Sequence, residues 1–572
     1  MHHRLSLALL MLNCVAATAQ AHDAAMPPAQ GGGADAGEGA SAGSVNLRNA
    51  QPVASPSVPE PSTPVATGPS AVMDESAALP PTPPPAGLPG VVVRAIIVNG
   101  ARDIPRKEMD AALSTFVGHR LTQDDMQDLL STLSGLARAR GYVFARSSIP
   151  AQTLDSGVLH VDLDEGRVDE VRLTGQSNKA VRAILDGLCG HAPRQQEVDR
   201  LLTLAQDVPG VRLGQARYER EGDRGILIVP LVNDRGAGHL AVDNWGTGAL
   251  GPARVQLGYD FNGLIDDKDA LSLSVMVSPA QPRELHSFWG RYARQIGHGG
   301  TEVAIYGGFG ATNSGGAWRA YDANGRWVTA GLSVAQPLLR GRRASLWLNA
   351  SLDYIAVNQW FSDAMVRRDR VTTASLSLNG YMPLAGGRLR AGAGVVQGLD
   401  VLGATQAGDT LASRPQADGQ FTSFNAWGNW AGALAGPFSA RLAVTAQLST
   451  APLLAVEQIS VGGPAFGRAY EFAERTGDKG ILGSAELQAS LWDRPDGLIR
   501  WVQLYTFADA GSLSNLRNAY GTGDLYSAGL GARATLPHAF RLGIEAAFPI
   551  NATRYETGDS APRLSATATA TF

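Results

Sequence analysis

From about Ala237 to the last residue, the chain repeats a period of two, with apolar side chains on one parity and small or polar ones on the other. Leu271, Leu273, Val275 and Val277 alternate with Ser272, Ser274 and Met276. Leu346, Leu348, Ala350 and Leu352 alternate with Ser345, Trp347, Asn349 and Ser351, and Leu442, Val444, Ala446 and Leu448 with Arg441, Ala443, Thr445 and Gln447. The last such strand runs from Leu564 to Phe572 and ends on an aromatic residue. In a soluble sandwich the apolar row faces a core. In a lipid-facing barrel it faces outward, and Ser, Asn, Gln or Arg line the interior. Periodicity alone leaves both readings open.

Before this region, short strands mix with helices. Val91 to Val98 is a β-rich run closed by the turn signal Asn99-Gly100. Pro105 opens a helix with Met109, Ala112, Leu113 and Phe116 on one face. Thr122 is placed to cap a second, with Met126, Leu129, Leu130, Leu133 and Leu136 at helical spacing. Strands are expected at Tyr142 to Ala145 and around Val158 to Leu163. The same order of strand, helix, helix, strand, strand then repeats. Val168 to Leu173 leads to helices marked by Val181, Ile184, Leu185 and Leu188, and by Val198, Leu201, Leu202 and Ala205. Strands at Val211 to Arg220 and Gly225 to Val232 close the unit. The expected fold class is therefore α+β modules followed by an antiparallel β-barrel.

The N-terminus favours the barrel. Arg4, an apolar stretch from Leu5 to about Val15 and the A-x-A site Ala19-Gln20-Ala21 read as a signal peptide, residues 1–21. With Cys14 inside it, the exported chain keeps only Cys189, so no intramolecular disulfide is expected. Residues 22–89 are rich in Ala, Gly, Pro and Ser and lack the apolar surface to offset chain entropy, so they read as a disordered linker. No later run reaches the roughly 18 apolar residues of a spanning helix, whereas a barrel crosses lipid without one because its backbone bonds close between strands. Only 17% of residues are charged and 67 are glycine, which suits tightly turned strands. The net charge of -4 offers no basic balance for nucleic acid. Enzyme motifs are lacking: the histidines are scattered, no H-E-x-x-H or phosphate loop occurs, and the one G-x-S-x-G string, Gly39 to Gly43, lies in the linker. No catalytic residue, metal or cofactor is expected.

Gly141-Tyr142, Arg146, Pro150, Gln152, Leu154, Gly157, Leu159, Val161 and Glu165-Gly166 follow the spacing of the first POTRA module of two-partner secretion transporters. The chain thus resembles the TpsB family of the ShlB/FhaC/HecB type. Asp243-Asn244-Trp245-Gly246 resembles the family's opening barrel strand. Gly462 to Tyr470 resembles its long inward-folded loop, and Gly477-Asp478-Lys479-Gly480 with Glu486-Leu487 continues the match. Phe507-Ala508-Asp509-Ala510-Gly511 fits the F-x-D-x-G strand motif. The chain departs from the family at Gly467 and Ala469, where the loop motif usually carries Val before and Gly after the arginine. It also lacks, over residues 22–89, the apolar stripe of a plug helix, Ser44 to Ala50 being the one weak candidate.

The resemblance implies POTRA modules at residues 90–166 and 167–235 and a barrel over 237–572. It implies sixteen strands, which leaves about 21 residues for each strand and its connection, enough for spanning segments of roughly 9 to 11. It also implies an outer-membrane location with periplasmic modules, and a secreted TpsA-like exoprotein with an N-terminal secretion domain as partner. The other partners are outer-membrane lipid and the barrel assembly machinery, with Phe572 read during insertion. Arg468, carried into the lumen, needs acceptors because an unpaired buried charge is costly, and Asp509 on an inward-facing position is the expected bidentate partner. Gly467 and Tyr470 on the loop and Phe507 and Gly511 on the strand complete the motif pair. Two alternatives stay open: an assembly factor that inserts other barrels, and a passive porin.

Overall fold

The computed structural model describes residues 71–73 and 92–572, apart from 101–103, 155, 249, 316–318, 321, 495 and 519–520. The signal peptide and the weak plug-helix candidate at Ser44 to Ala50 lie outside the described residues. Within the linker, β1 (Ala71–Met73) is a strand, a departure from the disorder expected for residues 22–89. Its backbone finds a partner in an unfilled sheet edge, which composition does not report.

The first module is built from β2 (Ala95–Asn99), α1 (Arg106–Leu113), α2 (Gln123–Ala139), β3 (Arg146–Ser148) and β4 (Val158–Asp164). The sheet order is β2-β4-β3, with β2 parallel and β3 antiparallel to β4. Leu159, Val161 and Leu163 alternate into a core with Met109, Leu129 and Leu133 from the helices. A capping box starts α2: Asp125 N donates to Thr122 Oγ1 at 3.2 Å and Thr122 N donates to Asp125 Oδ2 at 2.7 Å. The strand expected at Tyr142 to Ala145 is instead a turn, and strand pairing begins at Arg146. Tyr142, Phe144 and Ala145 are all buried, Tyr142 and Ala145 in the first module's core and Phe144 in the second's, so these residues bridge two cores rather than alternate on one sheet.

The second module repeats the order with β5 (Glu170–Gly175), α3 (Lys179–Leu185), α4 (Gln195–Gln206), β6 (Val211–Leu213), β7 (Ala216–Glu221) and β8 (Arg224–Asn233). Its sheet runs β1-β7-β8-β5, with β6 also on β8. The single strand expected from Val211 to Arg220 breaks in two opposite Pro230, which has no N–H for a ladder; there the backbone bond runs from Gly214 N to Pro230 O at 2.8 Å. Gly100 and Gly175 mark the repeat. Gly100 follows β2 and Gly175 ends β5, each at φ +90°, with a Cβ position 2.2 Å from Leu163 O and 2.7 Å from Leu231 O respectively, so only glycine fits either turn.

The barrel begins with β9 (Gly236–Asp243), β10 (Arg254–Asn262), β11 (Asp269–Val277), β12 (Leu285–Ile296), β13 (Thr301–Asn313) and β14 (Ala323–Arg340). It continues with β15 (Ser345–Phe361), β16 (Ala364–Leu384), β17 (Gly387–Leu399), β18 (Thr422–Ala433) and β19 (Phe438–Ser449). A loop holding the short pair β20 (Ile459–Val461) and β21 (Arg475–Gly477) follows. The wall resumes with β22 (Lys479–Asp493), β23 (Trp501–Ser514), β24 (Gly523–Thr535), β25 (Arg541–Pro549) and β26 (Arg563–Thr571). Sixteen of these strands close into one barrel, β26 returning antiparallel onto β9 from Thr567 opposite Asp243 to Thr571 opposite His239. Phe572 extends this seam, donating to Gly238 O at 2.9 Å and accepting from Gly238 N at 2.6 Å, while 70% of its surface stays exposed. Because successive strands alternate in direction, the long connections 400–421 and 450–478 emerge at the end opposite the start of β9.

Apolar residues point outward on the spanning strands. In β19, Leu442, Val444 and Leu448 are exposed while Thr445, Gln447 and Ser449 are buried. Closure leaves no sheet edge, so the backbone is satisfied and the wall can present hydrocarbon to lipid. One sector departs from the expected polar interior. Trp327, Ile355, Val357, Val371 and Val396, on inward parities of β14 to β17, form an apolar cluster with Ala417, Phe421, Leu453, Leu454 and Val456 from the two long loops.

Candidate functional site

The loop after β19 folds back inside the barrel and carries Arg468 to the face of β23. That strand turns Gln503, Tyr505, Phe507, Asp509 and Gly511 inward, because one parity of a spanning strand must face the interior. The Arg468 guanidinium meets Asp509 in a fork, Nε to Oδ2 at 3.1 Å and Nη2 to Oδ1 at 3.0 Å, and its backbone N also donates to Asp509 Oδ2 at 3.1 Å. Arg468 and Asp509 are both buried. A bidentate, charge-assisted pair fixes orientation as well as position.

The pair sits in a larger ionic network. Ser484 on β22 and Ser527 on β24 stand opposite Asp509 in register and donate to it at 2.8 and 3.2 Å. Arg468 Nη1 donates to Glu486 Oε2 at 3.1 Å and to Glu545 Oε2 at 3.2 Å. Arg533 binds Glu486 at 2.7 and 3.0 Å, and Tyr505 donates to Glu545 at 3.0 Å. Every charge in this buried cluster has an opposite partner, the condition under which buried ion pairs are tolerated. Phe507 places its ring under the guanidinium, with Arg468 Cζ 3.4 Å from the ring centroid.

The smaller motif residues set the fit. A Cβ on Gly511 would stand 2.6 Å from Val461 Cγ2 of the loop, so glycine lets the loop lie against the wall. Gly467 adopts φ +81°, and Ala469 is fully buried among Ile459, Val461 and Leu482. The altered residues on either side of the arginine thus accompany a loop tip that packs tightly. Tyr470 is fully buried, its hydroxyl donating to Tyr526 O at 3.0 Å and Asn551 Oδ1 at 3.2 Å. Behind it, Arg563 on β26 donates to Tyr470 O at 3.0 Å and to Glu471 Oε2 at 2.7 Å, so the loop is held toward the closing seam as well.

Arg468, Asp509, Gly467, Tyr470, Phe507 and Gly511 thus lie around one loop-to-wall contact, while Phe572 stands apart at the seam. Glu486 stood in the motif match but without a role, and Arg533, Glu545, Ser484 and Tyr505 were not among the candidate residues. A signal for Glu545 existed: it shares the polar parity of a strand whose Leu542, Ile544 and Phe548 are exposed, and a charge at that parity faces inward. Which partner it meets, 77 residues away in sequence, is not readable from a single strand.

Residues 226–534, more than half of the chain, match the family described as haemolysin secretion/activation protein ShlB/FhaC/HecB, and residues 91–166 match the ShlB-type POTRA domain. The outer membrane transporter CdiB of Escherichia coli is 23% identical over 507 residues, 83% of each chain. The heme/hemopexin transporter protein HuxB of Haemophilus influenzae is 24% identical over 254 residues, 43% of this chain and 44% of its own. A solved structure of CdiB from Escherichia coli superposes with a TM-score of 0.66 at 21% identity, covering 87% of this chain and 93% of that one, a likeness of fold. The chain belongs to the ShlB/FhaC/HecB haemolysin secretion/activation family, transporters rather than enzymes, that place a barrel in the outer membrane and POTRA modules in the periplasm for two-partner secretion.

Proposed function

We propose that this protein captures an unfolded TpsA-like exoprotein through its POTRA modules and passes it through the barrel without nucleotide hydrolysis, the Arg468–Asp509 pair holding the inward loop in the lumen. The observation that carries this reading is the loop itself. A long segment held inside a closed barrel by charge-assisted bonds can be released and re-formed as a unit, which suits a pore that must open for a passing chain. The sheet edges of the modules support the capture step. β7 takes β1 as an added parallel strand, Ala71 opposite Ala216 to Met73 opposite Tyr218, so that edge accepts extended backbone with little demand on sequence. Folding of the cargo outside the cell would make passage one-way, since the periplasm supplies no nucleotide. The same reading keeps residues 1–21 as signal peptide, 22–89 as tether, 90–166 and 167–235 as the modules and 237–572 as the barrel.

Deleting the gene and comparing secreted proteins with the outer-membrane proteome tests the function. Loss of one large exoprotein supports it, broad loss of barrels points to an insertase, and neither points to a porin. For the pair, Asp509→Arg is expected to lower export strongly, with partial recovery in the Arg468→Asp/Asp509→Arg double variant. Unchanged export in the single variant removes the role given to the pair.

A further inference from the structure

A second buried ion pair lies on the same loop but ties loops to one another. Asp478, at the loop's end, has no exposed surface. Its Oδ1 accepts from Arg414 Nη1, from Leu453 N at 2.9 Å and from Gln458 Nε2 at 3.1 Å, and its Oδ2 accepts from Leu516 N at 2.8 Å. Arg414 reaches Asp478 from the 400–421 connection and also donates to Leu453 O at 2.9 Å and Leu516 O at 3.3 Å. One ion pair therefore joins the connections that follow β17, β19 and β23. Beneath it lies the apolar cluster of Ala417, Phe421, Leu453, Leu454 and Val456 on the inward side of β14 to β17. The 400–421 connection is further pinned by Ser413, whose N donates to Asp369 Oδ1 on β16 at 2.8 Å and whose Oγ accepts from Ala455 N at 3.0 Å.

We propose that Arg414 and Asp478 form an outer clasp that keeps the extracellular mouth of the barrel closed at rest, acting separately from Arg468 and Asp509. The two pairs do different work. Arg468 binds the loop to the wall, while Asp478 gathers donors from three connections, so losing it unties all three together. An apolar plug packed on inward Ile355, Val357, Val371 and Val396 would drift open unless something directional fixed it, because apolar contact has no register. The buried ion pair supplies that direction, and it separates as a two-state element because neither charge is stable alone in a buried site.

The first measurement needs no cargo. The full-length protein carrying Arg414→Ala or Asp478→Asn, reconstituted in planar bilayers after heat-modifiable migration shows a closed barrel, is expected to spend roughly tenfold more time in open conducting states than the parent. Folded variants as silent as the parent overturn the clasp. A second measurement covers variants that fail to fold. With the clasp intact, Ser413→Cys and Ala455→Cys in a Cys189→Ser background are oxidised to bridge the two connections. Oxidation is expected to stop export of the partner exoprotein and reduction to restore it. Equal export in both redox states overturns the proposal, whereas absent export in both states, with the parent also inactive, marks failure of the functional reading instead.

Discussion

In the second module and in the barrel the same two-residue alternation has opposite meanings. On β8, Leu227, Val229 and Leu231 are buried against Val181, Leu185 and Leu202. On β19, Leu442, Val444 and Leu448 are exposed, and the buried row is Thr445, Gln447 and Ser449. The difference lies in what covers each face. Helices α3 and α4 cover one face of the module sheet, so its apolar row is removed from water by protein. The barrel wall turns its apolar row to hydrocarbon, and its polar row meets a loop rich in hydrogen-bond partners. An apolar strand residue thus reports only that it avoids water.

Substitutions of opposite kind break the comparison most severely. Leu227→Asp buries a charge with no partner in the module core and is expected to cost about 4 kcal/mol or more. Proteolysis should then degrade the modules while the barrel keeps its heat-modifiable migration. Val444→Arg places a charge on the lipid face near the middle of β19 and is expected to cost about 2–4 kcal/mol, read as a lowered urea midpoint for the barrel in lipid vesicles. An equally mild response at both positions would mean that the two rows do not face different surroundings.

The smallest effect concerns a carboxyl in the inward loop, outside the spanning strands. Burial pushes Glu474 up from its ordinary 4.5 to about 7, with Glu471 adding repulsion, even though Glu471 N and Tyr555 N donate to it at 3.0 and 3.2 Å. The folded chain therefore holds this proton at pH values where the unfolded chain has lost it. The stabilisation is complete below about pH 4.5 and is lost as pH rises through about 7. Melting of the detergent-solubilised protein should fall by about two to four degrees between pH 5 and pH 8, and this part of the fall should vanish in Glu474→Gln.

Much of this was readable from residue order. The capping box at Thr122 and Asp125, the repeated strand-helix-helix-strand-strand units and the alternating barrel strands are local patterns, and local patterns survive into the fold. The pairing of Arg468 with Asp509 could be anticipated because a motif on the loop and a motif on the strand each carried a charge needing an opposite one. Tyr142 to Ala145 misled for a physical reason: a short apolar run suits a strand, but here its side chains divide between two cores. Arg533 and Glu545 were missed, and Glu486 was matched without a role, because their neighbours come from other strands. Arg414 gave no local sign at all, being one polar residue in a long connection until the fold brings it to Asp478, 64 residues on.

By itself, the order of residues determined which positions avoid water, where turns fall, and which charged residues would need company if buried. Only the tertiary structure decided which way each apolar row faces, which connections fold back into the barrel, and which of several acids each arginine meets. The physical reason is that alternation is symmetric: a strand's two faces differ in polarity, but polarity does not say whether the apolar face lies against helices or lipid. That is settled when the sheet either packs beneath helices or closes on itself with every backbone group paired between neighbouring strands.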